Sequence, residues 1–234
     1  ELFCEAVMTQ DDDKFIYFLG LSRLADSPWS LIPGGVTTPQ GFQASGIKAG
    51  LKPSGKPDLA LLLAPEGTTC VGTFTQSQVR AACVDLCASR LAATEFCARA
   101  VLINSGQANA CTGDRGLIDS LRATQALADQ LGLTAEEVLI CSTGVIGTPI
   151  SMNKLLAGLD LLVDGLSKTG GSDAAKAILT TDLVEKQISF TADLDGRRVC
   201  IGGMAKGSGM IHPDMATMLG FLTCDAGLPL ESWK

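Results

Sequence analysis

Three short apolar runs in the first half of the chain predict buried strands. The longest covers residues 58–64 and is closed by Pro65 and Gly67. Shorter runs cover residues 71–74 and 100–103. A continuous apolar run of this length is typical of a strand covered on both faces, because such a strand has no solvent-facing positions. These runs therefore indicate a sheet with other layers packed against it.

Helical spacing occurs between residues 114 and 131, where apolar side chains recur along one face. Gly132 follows directly, at the position where a C-terminal cap is expected. Thr134 and Glu137 have the spacing of a capping box, which predicts a short turn. This turn leads into another predicted buried strand over residues 138–141.

The second half of the chain combines helices with a hairpin. Residues 151–166 carry leucines and valines on one broad face, and residues 173–179 predict a shorter helix. The period then changes to two over residues 188–194. A turn at residues 195–196 and a return strand over residues 197–201 complete the hairpin. Interleaved helices and strands predict an α/β fold with helices packed on sheets.

Composition narrows the function classes. The chain has 234 residues and a formal net charge of −7, without a Lys/Arg-rich run, which argues against nucleic acid or anionic membrane as a partner. No stretch reaches the roughly 18 apolar residues of a membrane span. The nine cysteines form no C-x-x-C pair and predict buried thiols in a reducing compartment, and the single histidine argues against a metal site.

The first residues differ from the rest of the chain. Residues 1–31 contain an acidic run followed by a seven-residue apolar run, but they lack the basic region of a signal peptide. We interpret residues 1–31 as an extension of uncertain relevance. Turn-forming Gly34, Gly35 and Pro39 follow, so we expect the folded domain to begin at about Ile32.

Three Gly-rich polar clusters follow strand-like runs, at residues 104–113, 142–147 and 202–209. Glycine allows backbone N–H groups to converge on a ligand, so such clusters can bind phosphate or stabilise an oxyanion. None of the three fits the G-x-x-x-x-G-K-[ST] pattern of a phosphate loop, and Lys206 precedes its glycine. A nucleotide site is therefore the weaker interpretation.

The third cluster continues into Met215-Ala-Thr-Met-Leu-Gly220, and with it residues 202–225 resemble the self-cleavage segment of the glutamate N-acetyltransferase (ornithine acetyltransferase) family. The similarity extends from Ile32 to Asp225, through motifs that include Gly46-Ile-Lys-Ala-Gly-Leu-Lys52 and Thr180-Thr-Asp182. It implies the self-cleaving N-terminal-nucleophile acyltransferase fold. It also implies an α-chain domain over residues 32–216, with cleavage between Ala216 and Thr217.

The resemblance also implies a mechanism. A threonine hydroxyl is a poor nucleophile, and cleavage would leave Thr217 with a free α-amine that serves as its base. Thr217 would then take the acetyl group from N2-acetylornithine and transfer it to glutamate by ping-pong kinetics, in arginine biosynthesis. Acetyl-CoA is a second candidate donor, and the resemblance implies no bound cofactor and no metal.

The remaining site residues also follow from the resemblance. Thr143 and Gly144 match the oxyanion donors, and Thr180, Lys206 and Thr217 match the substrate-binding residues, with Thr181 as an alternative to Thr180. Taken without the motif, Thr143 would be a turn cap and Lys206 a solvated loop charge. His212 precedes a proline, so we expect it to shape a turn rather than to act in catalysis.

Residues 217–234 match only the start of the family's β chain, so we expect an incomplete fragment that lacks full activity. The resemblance implies the chain's own β chain as a partner, a homodimer of cleaved pairs, and a cytoplasmic location. Two alternatives stay open. One is an N-terminal-nucleophile aminopeptidase or amidase, in which water is the acceptor, and the other is an inactive binding or assembly module.

Overall fold

A computed structural model describes residues 27–208 and 218–233. The described residues form eight strands and four helices. In chain order these are β1 (Ser30–Ile32), β2 (Gln43–Ile47), β3 (Leu59–Leu63), α1 (Ala82–Ala93), β4 (Ala100–Gln107), α2 (Gly113–Leu131), β5 (Val138–Val145), α3 (Met152–Asp164), α4 (Gly171–Ala177), β6 (Lys186–Leu194), β7 (Arg197–Lys206) and β8 (Leu219–Cys224). Short 3-10 turns cover Ala135–Glu137 and Leu230–Ser232.

The strands form two four-stranded sheets. Sheet I has the order β2-β3-β4-β5, in which β4 and β5 are parallel and the other pairs are antiparallel. Sheet II has the order β1-β6-β7-β8 and is antiparallel throughout. The parallel pair needs a crossover, which α2 supplies between β4 and β5.

Strand β3 shows why a continuous apolar run was needed in sheet I. Leu59 and Leu61 belong to one buried cluster, whereas Ala60 and Leu62 belong to another. Successive side chains of a strand point to opposite faces, so each face of β3 contributes to a separate core. The predicted burial of this strand on both faces is confirmed.

Helices α2 and α3 cover one face of sheet I, where Leu127 and Leu155 are fully buried against Leu102 and Ile140. The other face meets α4 and sheet II, and Met204 of β7 shares a cluster with Ile103 of β4. The predicted layers of helices packed on sheets are therefore confirmed. Helix α4 approaches β2 closely because Gly46 has no side chain. A Cβ at this position would lie 2.0 Å from the Asp173 carbonyl oxygen.

The predicted helices and turns agree with the structure within two residues. Gly132 caps α2 in the left-handed conformation, with φ of 66°. Glu137 Oε2 accepts the N–H of Thr134 at 2.9 Å, as the capping box requires. Residues 195–196 turn the hairpin between β6 and β7.

One predicted strand was wrong and one helix was missed. Residues 71–74, predicted as a buried strand, have no regular structure and are half-buried to exposed, because no neighbouring strand pairs with them. Helix α1 was not predicted at all. Its buried positions Cys83, Cys87 and Leu91 recur every four residues, but we had interpreted the cysteines only as isolated core residues.

The boundaries of strands also differ from prediction. Strand β1 begins at Ser30, so part of the segment that we assigned to the extension pairs with β6. Strands β4, β5 and β7 each continue four or five residues into the Gly-rich clusters, because inter-strand pairing persists there. The clusters are therefore strand ends as well as loops.

Cysteine placement partly follows expectation. No disulfide joins the eight cysteines of the described ranges, and Cys83, Cys87 and Cys200 are buried. Cys97 and Cys111 are exposed, contrary to the prediction of buried thiols. Within residues 27–208 and 218–233, no helix has both the length and the apolar character to cross a membrane.

Candidate active site

The two predicted oxyanion donors lie near the end of β5. Thr143 is buried opposite Ser105 of β4, and Gly144 is exposed opposite Gly106. Gly144 has a φ of 133°, and a Cβ there would lie 2.3 Å from the Gly106 carbonyl carbon. Only glycine fits at this position, because both the backbone angle and the space exclude a side chain.

Lys206 connects sheet II with the end of β5 in sheet I. It is the last residue of β7, and its Nζ donates a hydrogen bond to Thr143 Oγ1 at 3.0 Å. Lys206 is only 4% exposed, so the interpretation of a solvated loop charge does not hold. The contact links one predicted substrate-binding residue directly to one predicted oxyanion donor.

The surroundings change the ionisation of two lysines. Burial lowers the pKa of Lys206, and the charge of Lys186 lowers it further, while the charge of Asp182 opposes this shift. Burial also lowers the pKa of Lys52 to about 8, against the opposing charge of Asp58, and the Lys206 charge contributes to the lowering. Like charges favour the neutral amine, so these lysines influence each other's protonation.

Asp182 organises the next part of the site. Its Oδ1 accepts the N–H of Gly207 at 2.8 Å and the Lys186 ammonium, and its Oδ2 accepts the N–H of Thr180 at 3.4 Å. Burial by itself would raise the pKa of Asp182. The hydrogen bonds from Lys186 and Gly207 outweigh burial, so the pKa lies below its ordinary value.

Thr180 and Thr181 are both exposed in the loop between α4 and β6. Thr180 is tied to Asp182 through its backbone, whereas the Thr181 hydroxyl lies 3.4 Å from Ser208 Oγ. The Thr180 side chain is not used in any of these contacts. This arrangement is compatible with our preference for Thr180 as a ligand, and it leaves Thr181 as the alternative.

Three sequence-predicted residues, Ala216, Thr217 and His212, lie outside the described ranges. The chain re-enters the described part at Met218, and Leu219 of β8 pairs with Lys206 of β7. Thr217 is thus two residues along the chain from the partner of Lys206. The residues on either side of this gap in the description belong to β7 and β8, two neighbouring strands of sheet II.

The cluster at residues 104–113 has a structural role in the described part of the chain. Asn104 is fully buried and donates to the Gln107 carbonyl oxygen at 3.0 Å while it accepts from Ser142. Asn109 bonds Gly116 and Ser120 at the start of α2. These polar groups satisfy each other and the backbone, so they hold the strand ends in place.

Sequence reasoning missed Asp182, Lys186 and Lys52 as members of this region. Asp182 belongs to the Thr180-Thr-Asp182 motif, and Lys52 is the last residue of the motif that begins at Gly46. Membership of these motifs was therefore the available signal. Their convergence depends on the packing of β2, β6 and β7, which periodicity does not predict. Within the residues that the structure describes, no group of three or more His, Cys, Asp or Glu side chains could hold a metal ion.

Comparison with known proteins decides the family. A sequence profile of the ArgJ family matches residues 43–234. The chain belongs to the ArgJ family. The resemblance on which we based the site residues is thereby confirmed at the level of the family.

Several ArgJ relatives are similar over nearly the whole chain. The arginine biosynthesis bifunctional protein ArgJ of Parasynechococcus marenigrum (strain WH8102) is 77% identical over 216 residues, which are 92% of this chain and 53% of the relative. The protein of the same name from Prochlorococcus marinus (strain MIT 9313) is 70% identical over 214 residues, which are 92% of this chain and 50% of that relative. The chain spans about half the length of the curated relatives it matches.

Solved ArgJ structures share the fold. Ornithine acetyltransferase from Mycobacterium tuberculosis, solved in complex with ornithine, is 40% identical with a TM-score of 0.73. The match covers 82% of this chain and 100% of that chain. The bifunctional ArgJ protein from Bacillus halodurans is 34% identical with the same TM-score. This match covers 82% of this chain and 99% of that chain. The predicted N-terminal-nucleophile acyltransferase fold is confirmed.

Proposed function

We propose that this chain supplies the N-terminal part of an acetyltransferase of arginine biosynthesis. It moves the acetyl group from N2-acetylornithine to glutamate through a threonine acyl-enzyme, with acetyl-CoA as a second candidate donor. The observation that carries the proposal is the contact between Lys206 and Thr143 across the two sheets. This contact joins a cation suited to a substrate carboxylate with a donor suited to an oxyanion.

The proposed nucleophile is Thr217, released by cleavage of the Ala216–Thr217 bond. Its α-amine takes the hydroxyl proton as Oγ1 attacks the acetyl carbonyl carbon of N2-acetylornithine. The tetrahedral intermediate collapses as the carbon–nitrogen bond breaks, and ornithine leaves with the proton. Glutamate then attacks the acyl-enzyme through its amine, and Thr217 is regenerated. Two half-reactions on one residue give ping-pong kinetics.

Thr143 and Gly144 stabilise the negative oxygen of each tetrahedral step. Because Lys206 donates to the Thr143 oxygen, the hydroxyl hydrogen of Thr143 is left to donate toward the developing oxyanion. A donor polarised by a neighbouring cation binds an anion more strongly than an isolated hydroxyl does. Loss of one oxyanion donor lowers the rate by about 10²–10³.

Thr180 and Lys206 are the proposed substrate-binding residues within the described part of the chain. Both substrates carry a carboxylate, and the Lys52, Lys186 and Lys206 cations give this region a positive charge that Asp58 and Asp182 only partly offset. We propose that the rest of the site comes from the β chain, which begins at Thr217. The domain boundary at residues 32–216, the homodimer of cleaved pairs and the cytoplasmic location are part of the same proposal.

Transfer is tested on a completed chain, in which the C-terminal half of the Parasynechococcus marenigrum relative follows this sequence. We expect labelled acetyl to move from N2-acetylornithine to glutamate, and Thr217→Ala to abolish both transfer and cleavage. Release of free acetate without acetyl-glutamate would favour the hydrolase instead. If neither N2-acetylornithine nor acetyl-CoA serves as a donor for acetyl transfer to glutamate, the proposal is contradicted.

Self-cleavage is tested separately on the 234-residue chain. Intact-mass measurement distinguishes the uncut chain from two products that divide at Ala216–Thr217, and Thr217→Ala is the uncut control. We expect no robust transfer by this chain without the C-terminal half. Efficient acetyl transfer by the isolated chain would refute that expectation, and a cut at any other bond would refute Thr217 as nucleophile.

A further inference from the structure

Asp182 is a carboxylate buried in the middle of the proposed site. Its side chain is completely shielded from solvent. It accepts hydrogen bonds from three groups: the Lys186 ammonium, the Gly207 N–H at 2.8 Å and the Thr180 N–H at 3.4 Å. A shielded carboxylate cannot touch a substrate, so Asp182 can affect the reaction only through these partners and through its charge.

The partners of Asp182 lie at both sides of the site. Thr180 belongs to the loop after α4, and Gly207 follows Lys206 at the end of β7. Lys186 strengthens the connection, because its ammonium also donates to the Gly207 carbonyl oxygen at 3.1 Å. Asp182 and Lys186 therefore hold the Gly207 residue by its N–H and its C=O together. Gly207 has a φ of 143°, which a residue with a side chain adopts rarely.

This arrangement has an energetic cost that a purely structural loop would avoid. Removing a carboxylate from water is unfavourable unless an opposite charge and hydrogen bonds compensate it. Asp182 has both kinds of compensation. Breaking such a pair from one side leaves an uncompensated buried charge, so the geometry around Asp182 is strongly specified.

The charge of Asp182 also acts on Lys206. Lys206 is buried against Thr143, and its electrostatic neighbours in the described part of the chain include the Asp182 carboxylate and the Lys186 ammonium. Lys52 is a further cation nearby, and both Lys206 and Asp182 influence it. Asp182 raises the pKa of Lys206, and Lys186 lowers it. The two members of the ion pair thus act on Lys206 in opposite directions.

We propose that Asp182 is a positioning residue for the transfer reaction: its hydrogen bonds to Thr180 and Gly207 hold the loop after α4 and the end of β7, with Lys206, in one arrangement, and its carboxylate supplies a negative charge near the Lys206 ammonium. This inference rests on the proposed function for its role in transfer. Its electrostatic part concerns only residues of this chain. The charge of Asp182 opposes the lowering of the Lys206 pKa by burial, so it favours the ammonium form, which can meet a substrate carboxylate and polarise Thr143.

The test is an NMR titration of isotope-labelled lysines in the 234-residue chain, with Lys206→Arg to assign the Lys206 signal. Asp182→Asn keeps the size of the side chain and removes its charge. We expect the titration midpoint of Lys206 to fall, because a favourable opposite charge is lost. If Asp182 only maintained structure, its loss would hydrate Lys206 and raise the midpoint toward the ordinary lysine value.

Lys186→Met tests the opposite change in charge, and this variant remains informative if Asp182→Asn does not fold. It removes a repelling cation and leaves the Asp182 charge, so the Lys206 midpoint should rise. The matched control is Asp164→Asn, at an exposed aspartate that ends α3. It should leave Lys206 unchanged. An unchanged or raised midpoint in Asp182→Asn, or an unchanged or lowered one in Lys186→Met, would overturn the electrostatic part.

The completed chain tests the catalytic part. We expect Asp182→Asn to lower kcat/KM about 10–100-fold, with a rise in KM for N2-acetylornithine because Thr180 and Lys206 are misplaced. Asp164→Asn should match the unmodified enzyme. Unchanged kinetics in Asp182→Asn would overturn the inference and leave the proposed function standing. Absence of transfer in the unmodified enzyme would count against the proposed function, while the lysine titration would still decide the electrostatic part.

Discussion

Two buried regions of this chain contain different kinds of side chain, one apolar and one polar. Beneath α2 and α3, sheet I packs apolar side chains such as Leu61, Leu102 and Ile140 into one cluster. At the ends of β5 and β7 the buried residues are Thr143 and Lys206. In the first region stability is spread over many weak contacts. In the second it depends on a few hydrogen bonds and charges, each of which has a specific partner.

This difference predicts different responses to mutation. An apolar core loses stability in proportion to the volume removed, and the function of the remaining folded molecules is little affected. A buried polar group contributes little net stability, but its partners depend on its position. Substitutions in the two regions should therefore separate stability from activity.

The largest effect on stability is expected in the apolar region. Leu102 is fully buried on central strand β4. Leu102→Ala should lower the free energy of unfolding by about 2–5 kcal/mol, because it removes buried methyl groups and leaves a cavity. Urea unfolding of the 234-residue chain measures this. Leu161→Ala, at a position 62% exposed on α3, is the control and should change the value by less than about 0.5 kcal/mol.

Lys206→Met should show the reverse pattern. It keeps the apolar stem but removes the ammonium that donates to Thr143. We expect kcat/KM of the completed chain to fall about 10²–10³-fold, as for loss of an oxyanion donor. Urea unfolding should show an unchanged or higher free energy, because an apolar side chain avoids the desolvation of a buried charge. A large loss of stability with normal kinetics would reverse the comparison.

Gly144→Ala tests the boundary between the two regions. An added Cβ would collide with the backbone of Gly106 and would occupy a backbone conformation that favours glycine. The free energy of unfolding should fall by about 1–3 kcal/mol, and transfer by the completed chain should fall with it. Val145→Ala, at the next and exposed position, should change neither quantity appreciably. Normal transfer in Gly144→Ala would argue against an oxyanion role.

Gly132→Ala should have a smaller effect that is confined to stability. Gly132 caps α2 with φ of 66°, and no atom lies within 4 Å of an added Cβ. Only the strain of the left-handed conformation remains, which costs about 1–2 kcal/mol. Thermal unfolding measures it. Gly227→Ala also has open space but no positive φ, and it should leave the melting temperature unchanged or slightly higher.

The pH dependence of stability should show the smallest effect. The pKa of Asp182 is lower in the folded chain than its ordinary value of 3.8. The contribution of Asp182 to stability is therefore complete above that value and is lost as the pH falls through the lower folded value. Urea unfolding below pH 3.8 should show a steeper loss for the unmodified chain than for Asp182→Asn. Equal slopes would show that this carboxylate is not preferentially ionised in the folded state.

Most of the apolar architecture could be predicted from local pattern. The run over residues 58–64, the helix ending before Gly132 and the hairpin turning at residues 195–196 all have the period that their structure requires. Residues 71–74 show the limit of this reasoning, because an apolar run forms a strand only where a neighbour pairs with it. Helix α1 shows the converse, since its cysteines had helical spacing that we did not use.

The sequence by itself determined the layered α/β fold, the family and the candidate residues, because periodicity and motif spacing are local properties of the chain. Only the tertiary structure decided that Lys206 of sheet II contacts Thr143 of sheet I, and that Asp182 joins the loop at Thr180 to the end of β7. These contacts link residues far apart in the sequence. Their geometry follows from how two sheets pack, and no local pattern encodes it.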